Sequence, residues 1–246
     1  MNEDIKREEL LISQLADLLI NDKHVAVGAA SPIPGAAALL AKEEAKLKNK
    51  RLRVTILHSN KYNNFTDGAR ELFDCAAQGR IDTFFLGGVQ IDGQANINLV
   101  GTGEYPKLKK RLPGSFGSAL MYFVVPQIIL FREEHSPRTL VNKVDFISAP
   151  GISDDNVYRP GGPKYLLTNR ALFKFNKKYK RFSLLNLNHN ETIQNIVDLT
   201  GFEFDIDDNI SEMKKPDNKR IDILRHQIAP MVAEFYPEFA KRIWHI

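Results

Sequence analysis

Cysteine is almost absent from this chain. Cys75 stands alone among 246 residues, which excludes an internal disulfide and points to a reducing compartment. Long apolar runs are missing too. The longest, around Met121–Phe131, is interrupted by Pro126 and Gln127, and it falls short of the ~18 residues that a membrane-spanning helix needs. The start, MNEDIKREELLISQLADLLI, is acidic and amphipathic. It lacks the positive beginning, apolar stretch and small-residue cleavage site of a secretory signal. A cytoplasmic chain with no membrane contact is therefore expected. Charge of one sign is also scarce: 34 Lys and Arg against 30 Asp and Glu leave a formal +4. That balance suits an anionic ligand but is too small to argue for nucleic acid. The six histidines are scattered, and with one cysteine there is no zinc-ligand spacing, so no metal is expected. Internal repeats and low-complexity tracts are absent.

Hydrophobic residues make up 43% of the chain, enough for a substantial core. Asp4 to Ile20 carries Leu11, Leu15, Leu18 and Leu19 on one helical stripe. His24–Val27 reads as a strand. It leads through Gly28-Ala29-Ala30-Ser31-Pro32 into a helix from Gly35 to Lys48, whose closing lysines suit the negative end of the helix dipole. Arg53–Leu57 is a β-branched strand, Arg70–Gln78 a short helix closed by Gly79, and Thr83–Leu86 a third strand. This alternation predicts an α/β fold with an open, mainly parallel sheet flanked by helices. After Gly101 the pattern shifts to strand-like runs at Tyr122–Phe131, Val144–Ile147, Tyr165–Thr168, Leu172–Phe175 and Phe182–Leu187, an antiparallel extension of the sheet. The basic run from Lys177 to Arg181 falls at a hairpin tip. Thr192–Leu199 reads as a helix with Asn190 as N-cap and Gly201 past its end. Glu203–Asn218 reads as a polar loop or tether, and Ile221–Trp244 as a helical tail broken near Pro230 and Pro237. Residues 1–205 are thus expected to form one domain, with 206–246 a tether and tail packed on it.

The segment Leu86–Ser118 holds seven glycines in 33 residues and follows a strand. Glycines placed there permit positive φ and close approach of backbone to a ligand, and ligands of open α/β sheets bind beyond the carboxyl ends of the strands. Tight turns alone explain the glycines equally well. His58 beside Ser59 suggests a nucleophile and its base, but neighbours on a strand point to opposite faces, and a hydrogen-bonded structural histidine is the competing reading.

The run Glu71-Leu72-Phe73-Asp74, Gly79-Arg80-Ile81-Asp82, Phe85-Leu86-Gly87-Gly88-Val89-Gln90-Ile91-Asp92 and Gly93 to Asn98 resembles the beta subunits of family I CoA-transferases, the glutaconate type and related steroid-ring-degradation subunits above all. Arg111-Leu112-Pro113-Gly114-Ser115 is similar to their glycine turn near the thioester. Val27 to Lys42, Gly162 to Phe175 and Thr192 to Phe202 resemble further segments in the same order, so the likeness covers roughly residues 10–205. The resemblance implies a fold of the CoA-transferase/NagB-RpiA type, an alpha subunit of similar fold as partner, and coenzyme A thioesters as substrates with no covalently bound cofactor. It implies that Gly87, Gly88, Val89, Gln90, Gly114, Ser115, Phe116 and Gly117 form the CoA and oxyanion loops. Lys109, Lys110 and Arg111 become candidates for the CoA phosphates through charge-assisted hydrogen bonds.

Members of that family that transfer CoA attack the thioester with a glutamate shortly after the second strand. Here Arg53 to Thr66 contains no Asp or Glu, and the nearest counterpart is Asn60 after Ser59. An amide cannot serve as the carboxylate nucleophile. Asp92 and Glu104 are the substitutes within the glycine segment, and each also suits a turn or a cap. A carboxylate from the partner is the other source. Phe116 stands where the family tends to glycine, and it either narrows a CoA channel or packs against a neighbour. Three functions follow: a subunit of an enzyme transferring, hydrolysing or ring-opening acyl-CoA; a non-catalytic subunit stabilising an active partner; and a sugar-phosphate isomerase or ligand sensor, since related folds host these.

Overall fold

The computed structural model describes residues 5–246; Asp4, expected to start the first helix, lies outside them. In chain order the elements are α1 (Arg7–Leu18), β1 (His24–Val27), α2 (Pro32–Leu47), β2 (Arg53–Ile56), α3 (Gly68–Ala77), β3 (Thr83–Leu86), β4 (Gln90–Ile91), β5 (Ile97–Asn98), β6 (Gly101–Thr102), β7 (Lys110–Arg111), α4 (Ser118–Val124), β8 (Gln127–Arg132), β9 (Pro163–Thr168), β10 (Ala171–Asn176), β11 (Arg181–Leu187), α5 (Ile193–Leu199), β12 (Asp205–Glu212), α6 (Asn218–Ile223), a π-helical turn (Leu224–Ile228), α7 (Ala229–Ala233) and α8 (Pro237–Trp244). They fall into two compact units. Among the described residues the first comprises 5–72, Arg80–Phe85 and Lys214–Ile246; the second comprises Phe73–Gly79 and Leu86–Met213.

In the first unit, β1 lies between β2 and β3 and runs parallel to both, with Val25 opposite Val54 on one side and Thr83 on the other. All four β1 residues are buried, as expected of a parallel strand covered on both faces. Leu11, Leu15 and Leu19 of the first helical stripe are buried, joined by Ile12 and Ala16. The second helix starts at Pro32 rather than Gly35, because the first helical turn needs no backbone N–H and proline fits there. Glu71 reaches back to accept hydrogen bonds from the Thr66 and Asp67 amides at the start of α3, and Gly79 follows that helix with φ +68°. The tail from Lys214 onward belongs to this unit. Arg220 pairs with Asp17 of α1 at 2.7 Å and with Glu44 of α2 at 2.7 Å. The expected break at Pro230 takes the form of the π turn just before it, which absorbs the clash that the proline ring makes with the preceding turn.

In the second unit, strands run in the order β8-β9-β10-β11-β12. β8/β9 and β11/β12 are parallel, and β9/β10 and β10/β11 are antiparallel. The mainly parallel α/β class with an antiparallel extension is therefore the observed one. Aromatic rings fill its core: Phe182 lies 5.6 Å from Phe202, and Phe173 lies 5.2 Å from Phe204.

Four local expectations are corrected. Tyr122–Val124 is the end of helix α4, and the strand begins only at Gln127; Pro126 pushes Val125 into extended backbone and stops the helix there. Val144–Ile147 forms no strand. The Asp145 amide of that segment bonds instead to the Gln90 side chain. Asp205–Glu212, read as a loop, is an edge strand parallel to β11; its acidic residues are typical of an edge that must avoid further pairing. The N-cap of α5 is Thr192, whose Oγ1 accepts from the Asn195 N–H, while Asn190 takes φ +67° in the turn before it. Among the described residues, no helix is long and apolar enough to cross a membrane.

Candidate functional site

The glycine segment lies wholly in the second unit, and a buried amide pair organises it. Asn98 is 0% exposed. Its Nδ2 donates to Gln90 Oε1 at 2.8 Å and to the Gly101 carbonyl at 2.7 Å, while its Oδ1 accepts from the Val100 and Gly101 amides. Gln90 Oε1 also accepts from the Asp145 amide. Across the β4–β5 pair, the Val89 amide donates to the Asn98 carbonyl at 2.8 Å. Gly88 is required at its position, because a Cβ there would lie 2.6 Å from the Gln90 carbonyl oxygen.

The same scaffold carries the second glycine turn. The Gly114 amide donates to the Leu99 carbonyl, and the Leu112 amide to that of Val100. Gly87-Gly88-Val89-Gln90 and Gly114-Ser115-Phe116-Gly117, distant in sequence, are thus tied to adjacent residues, Asn98 and Leu99, of one short run, Ile97–Val100. Ser115 closes its turn by accepting from both the amide and the hydroxyl of Ser118. Gly117 leaves room for the Phe73 ring, since a Cβ there would meet Phe73 Cζ at 2.1 Å. Phe116 is 87% exposed. Its neighbour is that same Phe73 ring at 5.7 Å, so it is not a core aromatic.

The two substitute carboxylates differ sharply. Asp92 is buried. Its Oδ1 accepts from the Gln94 and Asn96 amides and its Oδ2 from Asn96 Nδ2, all at 3.0–3.1 Å, so the side chain closes the turn between β4 and β5. Glu104 is exposed. With Thr102, Gly103, Lys109 and Asp145 it lines a recess of about 670 Å³, where the Gly103 amide donates to Asp145 Oδ2 at 2.8 Å. Lys109 therefore shares a recess with Glu104, and Lys110 and Arg111 are exposed on β7 beside it.

Asn60 lies in the first unit, in the turn after β2. Ser59 beside it is buried, and its Oγ accepts from the Lys61 and Tyr62 amides, so the hydroxyl stabilises the turn. His58 stacks on Tyr236 at 5.4 Å. The Tyr236 hydroxyl donates to the Ala29 carbonyl at 2.6 Å and accepts from the Ser31 amide at 3.1 Å, locking the β1–α2 loop. Two residues on, the ammonium groups of Lys42 and Lys61 lie 5.0 and 5.7 Å from the Tyr62 ring centre. Burial, then the nearby charges of Lys46 and Lys61, hold the Lys42 amine below its ordinary value.

A coenzyme A transferase family model matches residues 5–199. The chain belongs to the coenzyme A transferase family. It is 31% identical over 153 residues to one subunit of the glutaconate CoA-transferase of Acidaminococcus fermentans, an alignment covering 59% of this chain and 56% of that protein. The chain thus spans little more than half the length of this relative. In fold it is similar to the crystal structure of glutaconate coenzyme A-transferase from Acidaminococcus fermentans, with a TM-score of 0.80 at 22% identity over 94% of this chain and 97% of that chain. It is similar as well to the crystal structure of the decarboxylase AibA/AibB, with a TM-score of 0.75 at 23% identity over 90% and 94% of the two chains.

For this coenzyme A transferase family member, sequence reasoning missed the residues that hold the glycine segment in place. Asn96 and Asn98 flank Ile97 in alternation, a polar period-two signal that reads as a turn until burial is known. Tyr122, fully buried, donates to the Ala95 carbonyl at 2.7 Å, and burial raises its phenol well above the ordinary value.

Proposed function

We propose that this chain is the beta-type member of a two-subunit enzyme that acts on acyl-CoA thioesters. The observation that carries the reading is the family match over residues 5–199 joined to a glycine segment whose two loops share one buried scaffold. In this reading Gly87, Gly88, Val89, Gln90 and the Gly114–Gly117 turn receive the thioester. Lys109, Lys110 and Arg111 receive the phosphates, as charge-assisted donors to anionic oxygens. The glutaconate CoA-transferase relative is itself one subunit of its enzyme, which supports an alpha-type partner of similar fold.

The reaction is better read as hydrolysis, ring opening or a related step on an acyl-CoA than as glutamate-dependent transfer. Residues 53–66 offer no carboxylate, and the amide of Asn60 cannot replace one as nucleophile. Asp92 is engaged by its turn, which leaves Glu104, on the rim of its recess, as this chain's candidate acid or base. A decarboxylase has a similar fold, which supports chemistry other than transfer. The second reading, a non-catalytic subunit that stabilises an active partner, is favoured by the same missing carboxylate.

The test is native mass spectrometry of the tagged chain pulled from its host's lysate, followed by acyl-CoA turnover assays on the complex. A second subunit of similar size in equal ratio supports the two-subunit enzyme; this chain alone, as a monomer or homo-oligomer, refutes it. Within the complex, loss of turnover in Glu104→Gln with assembly intact assigns chemistry to this chain. Full retention of turnover in both Glu104→Gln and Asp92→Asn assigns it to the partner.

A further inference from the structure

Phe116 combines two costly features. Its φ is +41°, in the left-handed region that glycine tolerates and bulky residues avoid. Its side chain is 87% exposed, so packing does not compensate the backbone. Strain of this kind persists where the surroundings impose it, and it gathers at ligand sites. Here the turn is fixed on both sides: the Gly114 amide bonds to the Leu99 carbonyl, and Ser118 to the Ser115 carbonyl. Phe73 supports one side of the ring at 5.7 Å, and Leu120, in the first turn of α4, is 41% exposed. The result is a small apolar patch on a loop whose other end is the exposed cationic pair Lys110-Arg111. Arg111 and Phe116 are separated by at most about 18 Å of extended chain.

A ligand that satisfies both ends is anionic at one end and apolar at the other. Two rings and a leucine are far too small for a stable protein interface, which buries about 800 Å² per partner, so a small molecule is the fitting occupant. We propose that Phe116 is a specificity-determining residue that contacts the acyl group, and that the acyl groups accepted are apolar rather than charged. The proposal rests on the acyl-CoA reading above and adds the substrate class to it.

The test uses the full chain together with its co-purifying partner and isothermal titration of acetyl-CoA, hexanoyl-CoA and succinyl-CoA. The wild type is expected to bind hexanoyl-CoA about tenfold more tightly than acetyl-CoA, the scale of discrimination that a modest apolar contact gives, and to bind succinyl-CoA no better than acetyl-CoA. In Phe116→Gly and Phe116→Asn, both compatible with positive φ, the hexanoyl preference is expected to vanish. An unchanged preference in both variants overturns the proposal, and so does tight succinyl-CoA binding by the wild type. Loss of the partner in the variants with the preference retained identifies the patch as an interface and also overturns it. If the wild type binds none of the three thioesters, the acyl-CoA reading itself fails.

Discussion

Replacing Arg225 with methionine is expected to be among the most damaging single changes outside the glycine segment. Glu9 of α1 is 0% exposed, and its carboxylate receives both Nε and Nη2 of Arg225 at 2.7 and 2.8 Å. The Lys6 amide at 2.9 Å and Trp244 Nε1 at 3.3 Å complete its shell. Burial by itself would raise the Glu9 carboxyl, but the hydrogen bond from Arg225, that from the Lys6 amide and the ion pair together hold it below the usual carboxylate range. Without the guanidinium a buried charge is left uncompensated, which costs about 3–5 kcal/mol, a large share of the ~5–15 kcal/mol by which domains are stable. Arg225→Met combined with Glu9→Leu removes both charges and is expected to recover most of the loss. The pH dependence follows with opposite signs. In the wild type a lowered Glu9 contributes stability above its unfolded pKa of about 4.3, and that stability is lost as the pH falls through the folded value. In Arg225→Met burial dominates, the Glu9 carboxyl rises, and protonation relieves the cost, so the gap to wild type narrows between neutral pH and about pH 5. Urea denaturation of the four proteins in the cycle, at both pH values, measures this. A loss below about 1 kcal/mol for Arg225→Met, or single costs that simply add in the double variant, would refute the reasoning.

Two further predictions follow from the second unit. His135 is buried between Thr168 Oγ1 at 2.7 Å and Thr200 Oγ1 at 3.0 Å, and burial, then Arg170, lowers it from 6.5 to about 4. A base lowered on folding loses stability as the pH falls from its unfolded to its folded value, here by about 3 kcal/mol; His135→Gln is expected to remove that slope in pH-dependent unfolding, and parallel curves for the two proteins would contradict it. Asn98→Ala deletes a fully buried side chain that serves Gln90, Val100 and Gly101. At about 1–3 kcal/mol for each buried group left unpaired, it is expected to cost about 3 kcal/mol or more by thermal unfolding and to abolish turnover of the complex, whereas retained turnover would separate the glycine segment from the chemistry.

Sequence alone determined the parts of this protein in which local pattern and burial coincide. His24–Val27 and Thr83–Leu86 read as strands to the residue, because a parallel strand buried on both faces is a continuous apolar run. The ordered motifs from Val27 to Phe202 placed the chain in its family, and the missing carboxylate between Arg53 and Thr66 was visible without coordinates. Tertiary structure decided the rest. Asp205–Glu212 is a strand only because β11 offers it backbone partners, and an acidic edge has no alternation to reveal it. Asp92 and Glu104 are both carboxylates in a glycine-rich segment that also suit a turn or a cap, yet two backbone amides and the Asn96 side chain close around Asp92 while Glu104 is exposed in an open recess, a difference decided by which of the two turns buries its carboxylate. In sequence Phe116 either narrows a CoA channel or packs against a neighbour, and the structure leaves it 87% exposed. The turn that presents it is held by a local bond from Ser118 to the Ser115 carbonyl and by one from the Gly114 amide to the Leu99 carbonyl, the latter a contact that exists only once the chain has folded back on residues 97–100.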